Sequence, residues 1–114
     1  MAQDHEIAVE LVVPQEIAKT VESLSTVRVQ STQKVKDDEL KFGIVEVIAI
    51  LGLAKGVLEV TKTAIEIYKL LKQSGKPDAR AYIRSPEGKE TIEISVAKSE
   101  QDIRQAVEEA YTDN

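Results

Sequence analysis

Between Leu40 and Lys72 the chain reads LKFGIVEVIAILGLAKGVLEVTKTAIEIYKLLK, an apolar run whose charged residues obey one spacing in its second half and another in its first. In the second half Lys55, Glu59, Lys62, Glu66, Lys69 and Gln73 recur at steps of three and four. At about 100° per residue these positions form one narrow polar stripe, the mark of an amphipathic helix. From Phe42 to Ala54 the sole charge is Glu46, nine residues before Lys55 and so about 180° from the stripe on a continuous helix. The positions that would extend the stripe backwards, Val45, Ile48 and Gly52, are apolar or bare. The spacing predicts one long helix that is buried all round in its first half, bends at Gly52 or Gly56, or has that half covered by a partner.

The flanking segments are shorter and more regular. Ile7, Val9, Leu11 and Val13 alternate over Glu6–Val13 as a half-buried strand, and Pro14 ends it. Ile17, Val21 and Leu24 then step by four and three, so Pro14 opens a short helix. Val27 and Val29 mark a second strand over Thr26–Gln30, after which residues 31–38 read as a strand tail and a flexible loop. Ser74, Gly75 and Pro77 stop the long helix.

Ala79, Ala81 and Ile83 alternate with Arg80, Tyr82 and Arg84, and Ile92, Ile94 and Val96 alternate with Thr91, Glu93 and Ser95. These are the two strands of a hairpin, joined through Ser85-Pro86-Glu87-Gly88. With Arg84 facing Lys89, Arg80 falls opposite Glu93 and predicts an exposed cross-strand ion pair. Ser99 and Asp102 suit a capping box for a last helix lined by Ile103, Val107, Ala110 and Tyr111. The order is therefore β-α-β-α-β-β-α in one α/β (α+β) domain spanning residues 1–114, a small sheet packed on helices, with residues 1–5 a disordered tail. The pattern does not order the strands.

Composition narrows the function. A net charge of −5 opposes nucleic acid and anionic membranes, both of which demand concentrated Lys and Arg. With no cysteine there is neither a disulfide framework nor a thiolate metal site. Residues 1–6 carry no basic, apolar leader pattern, so the expected compartment is the cytoplasm. A span over Phe42–Thr61 would carry Glu46, Lys55 and Glu59, each costing roughly 2.5–3.5 kcal/mol at a membrane centre, so a membrane-attached regulator ranks last.

Chemistry-bearing clusters are sparse. His5 sits in the polar tail, and Asp37, Asp38 and Glu39 lack the spacing of a calcium loop and read as a helix cap. Glu46 is the one acid in apolar surroundings; Arg28, Arg80 or Arg84 would pair with it, or it lies exposed near the helix start. No catalytic residue, cofactor or metal ligand is assigned. Two surfaces are candidates for protein contact. One is Val45, Ile48 and the Gly52-x-x-x-Gly56 step, whose bare Cα atoms admit a second backbone; the other is the Arg80, Tyr82, Arg84 row of the hairpin.

The element order resembles the effector-associated constant component domains of bacterial conflict systems. So do Leu40-Lys-Phe-Gly-Ile44 leading into an apolar, glycine-containing helix, Ile67-Tyr-Lys-Leu-Leu-Lys72 at its end, and the hairpin Ala81-Tyr-Ile-Arg-Ser-Pro-Glu-Gly88 with Thr91-Ile-Glu-Ile-Ser-Val96. The resemblance covers nearly the whole chain. It implies a non-enzymatic adaptor, encoded beside or fused to effectors such as caspase-like or trypsin-like peptidases or signalling NTPases, that couples recognition to effector recruitment. The competing class is a small enzyme or ligand-binding domain using Glu46 or the Asp37–Glu39 acids in a cleft.

Overall fold

The computed structural model describes residues 6–35, 47–77, 79–85 and 90–111. Five strands form one antiparallel sheet: β1 (Ile7–Pro14), β2 (Arg28–Val35), β3 (Val47–Ala54), β4 (Arg80–Arg84) and β5 (Thr91–Ser95). Three helices, α1 (Gln15–Glu22), α2 (Val57–Ser74) and α3 (Glu100–Tyr111), complete the α+β fold. Every expected element is present in the expected order, and one strand is added. The sheet order is β2-β3-β1-β4-β5, so the strand nearest the N-terminus occupies the centre.

The added strand is the main correction. The first half of the expected long helix is β3, paired along its length with β1 from Ile7 opposite Ala54 to Pro14 opposite Val47, and on its other side with β2. Physical chemistry favours this outcome. Val47, Ile48 and Ile50 are β-branched and suit a pleated surface, whereas Gly52 and Gly56 each cost a helix about 1 kcal/mol relative to alanine. An apolar run of eight residues with no polar face is what a strand covered on both sides requires.

Gly52 has a specific reason to be bare. A Cβ there would come within 2.6 Å of Val27 Cγ1 and 2.8 Å of the Arg28 carbonyl oxygen, where β2 shifts register between Val29 and Ser31. Gly56, at φ 141° and ψ 179°, occupies a region open in practice to glycine alone and turns the chain from β3 into α2. The two glycines therefore share no helix face. The polar stripe starts at Lys55 because the helix itself starts at Val57.

The strand tail expected at the start of residues 31–38 is present. Residues 31–35 belong to β2, with Ser31, Thr32, Gln33 and Lys34 all exposed. An edge strand solvated on both faces carries no apolar alternation, and polar edges resist pairing with other chains. Residues 36–38 lie outside the described residues.

The helices cover one face of the sheet. Leu11, Ile50, Ile83 and Ile94 project from it and are at most 1% exposed, against Val21 of α1, Ile67 and Leu71 of α2 and Ile103 of α3. Burying each such side chain contributes roughly 1.5–3 kcal/mol. Helix ends follow their local signals. Gly75 adopts φ 75° and donates its N–H to the Lys72 carbonyl, and Ser99 and Asp102 form the expected capping box, Asp102 N–H to Ser99 Oγ (3.1 Å) and Ser99 N–H to Asp102 Oδ2 (3.4 Å).

Candidate functional site

Among the described residues no helix lies on the opposite face of the sheet, and that face gathers the hairpin row selected from sequence. Register places Ala8, Glu10 and Val12 of β1, Ala49, Leu51 and Leu53 of β3, and Tyr82 and Arg84 of β4 on this outer side. It divides into two ends. At one end Val12, Val47 and Ala49 are 0% exposed and form their own cluster, with Tyr82 packed against it. At the other end Leu51 and Leu53 are half-buried beside exposed Ala8.

Three arginine–glutamate pairs rim the face. Arg84 Nε donates to Glu10 Oε1 across β4 and β1, and this is the least exposed of the three pairs. Arg28 Nη2 lies 3.3 Å from Glu6 Oε2 beside Leu53. Arg80 Nε lies 3.6 Å from Glu93 Oε2, as expected, although the register differs from the expectation. Arg84 faces Thr91 and Arg80 faces Ser95, so the pair closes diagonally. Each β4 residue pairs two positions later in β5 than expected, away from the turn, and the Ser85 N–H donates to the Glu90 carbonyl at 3.0 Å. Exposed pairs of this kind contribute about 0–1 kcal/mol each, so their value is orientation of side chains more than stability.

The remaining sequence candidates scatter. Ile48 points to the helical face and packs on the main core. Gly52 is enclosed between β1 and β2, and Gly56 precedes α2. Val45, Glu46, His5 and the Asp37, Asp38, Glu39 acids lie outside the described residues. Among the described residues no three His, Asp or Glu side chains gather as a metal site, and no helix is long and apolar enough to cross a membrane. Over the helical layer, Tyr111 at the end of α3 has its hydroxyl enclosed without a hydrogen-bond partner among the described residues. Burial first, and the Glu90 charge second, push its phenol above the ordinary value.

Leu51 and Leu53 were not legible as surface residues from sequence, whereas Glu10 followed from the alternation of β1. Both sides of β3 are apolar, so a period of two leaves no trace in its composition. The signal that could have found them is the β-branched run ending at a glycine pair. No family model, curated protein or solved structure matches the chain.

Proposed function

We infer that the chain is a non-enzymatic, cytoplasmic adaptor that docks a protein partner on the helix-free face of its sheet, coupling recognition to an effector of a bacterial conflict or signalling system. One observation carries this reading. Half-buried Leu51, Leu53 and Tyr82 sit on a sheet face that no helix among the described residues covers, rimmed by arginines held in place by Glu6, Glu10 and Glu93. Tyrosine and arginine around aliphatic side chains are the residue types on which interface energy concentrates. The effector class, a peptidase or a signalling NTPase, rests on the family resemblance.

Size sets the expected strength. Five strands about 4.8 Å apart, three of eight residues and two of five, give a footprint of roughly 24 Å by 17–26 Å, about 400–600 Å². Standard stable interfaces bury about 800 Å² per partner, so this face suits transient recruitment. The test is binding of the chain to the effector encoded beside it, by titration calorimetry, for the wild type and for Leu53→Glu and Tyr82→Ala. Both variants should retain the wild-type circular dichroism spectrum and lose at least tenfold in affinity, about 1.4 kcal/mol. Unchanged affinity in both folded variants would overturn the reading.

A further inference from the structure

An adaptor that couples two partners requires two surfaces, and the helical layer carries a second one. The last turn of α3 lies over the first turn of α2, enclosing an open groove of about 690 Å³ lined by Val57, Leu58 and Thr61 on one side and Gln105, Glu108 and Glu109 on the other. Leu58 is 64% exposed and is the one large hydrophobic side chain so exposed among the described residues. Neither Glu108 nor Glu109 forms an ion pair among the described residues; Glu109 accepts only the Gln105 amide, at 3.2 Å.

Acidic side chains gather at the C-terminal end of α3. A helix ends in about half a negative charge, and α3 has two carboxylates and no basic residue in its last turn. Adjacent α2 contributes about half a positive charge at its start, which the two carboxylates outweigh. An apolar anchor beside uncompensated negative charge complements one chemistry: a leucine-type side chain flanked by lysine or arginine.

We propose that the α2–α3 groove receives a basic amphipathic segment of a protein partner, with an aliphatic side chain against Leu58 and cations against Glu108 and Glu109. This proposal rests on the adaptor reading and deepens it. The groove lies on the helical side and the Leu51–Leu53 face on the opposite side of the sheet, so the two partners do not compete.

The probe is a synthetic 14-residue helical peptide of leucine and lysine, titrated into the 15N-labelled full chain. Amide shifts should concentrate at Val57–Thr61 and Gln105–Glu109. Leu58→Ser should weaken binding about tenfold; being exposed and at the start of a helix, it leaves the fold intact. The Glu108→Gln, Glu109→Gln double variant should weaken it by a similar factor and remove most of its salt dependence. A control peptide with serine in place of leucine should not produce the localised shifts. Shifts spread over the acidic surface, or binding indifferent to Leu58→Ser, would overturn the proposal. Loss of effector binding by Leu53→Glu with no response at the groove would refute the groove alone, and the reverse result would refute the sheet face alone.

Discussion

Two neighbouring segments of one apolar run, β3 (Val47–Ala54) and α2 (Val57–Ser74), fold oppositely: β3 has no polar side chain, whereas half of the residues of α2 are polar. The helix keeps an exposed line at Lys62, Glu66 and Lys69, so its hydrophobic residues have one side to bury. The strand has no such line, because β1 and β2 flank it and side chains on both its faces are wholly or partly buried. Apolar content alone does not separate helix from strand. The residues left polar do, and where none is left, β-branching and glycine decide.

Truncating the core on each side of Gly56 is the strongest way to probe this contrast. Ile50→Ala in β3 and Ile67→Ala in α2 should each cost about 2–5 kcal/mol, read as a fall in the urea midpoint with unchanged slope. A loss under about 1 kcal/mol for Ile50→Ala would mean that β3 is not a core strand. Next in size are the glycines. Gly52→Ala should cost about 1–3 kcal/mol through the clash with Val27 and the Arg28 carbonyl, and a smaller Val27→Ala side chain should restore part of it in the double variant. Gly56→Ala meets no atom within 4 Å and should also cost about 1–3 kcal/mol, entirely through its backbone angles, so Val27→Ala should leave that loss untouched. The smallest effect belongs to the stripe. No described ion pair joins Lys62 to Glu59 or Glu66, and Lys62→Ala should change stability by under about 0.5 kcal/mol. A larger loss would show that the stripe carries packing.

Legibility followed the polar residues throughout. The hairpin was readable because Arg80, Tyr82, Arg84 and Glu93 mark one side while Ala81, Ile83, Ile92 and Ile94 fill the other. Helices α1 and α3 were readable from Pro14 and from the Ser99–Asp102 box. Strand β3 failed as a reading for want of polar residues, and the length of the β2 tail was left indefinite for want of apolar ones. The hairpin half of the outer face followed from alternation. Its other half, Leu51 and Leu53, depends on pairing between segments more than 40 residues apart, which no local pattern records.

The central position of β1 bears on how the chain acquires its shape. Ile7–Pro14 emerges first in synthesis, yet its two neighbours are β3 and β4, and β4 is complete only at Arg84. Sheet closure must bridge these long separations, which slows folding and ties it to chain already released. Deleting the β1 segment would not trim an edge; it would part the sheet into a β2-β3 ribbon and a β4-β5 ribbon, each too small to persist by itself. Of the five strands β1 is the first made, its pairing waits for β4, and the molecule is all or nothing with respect to it.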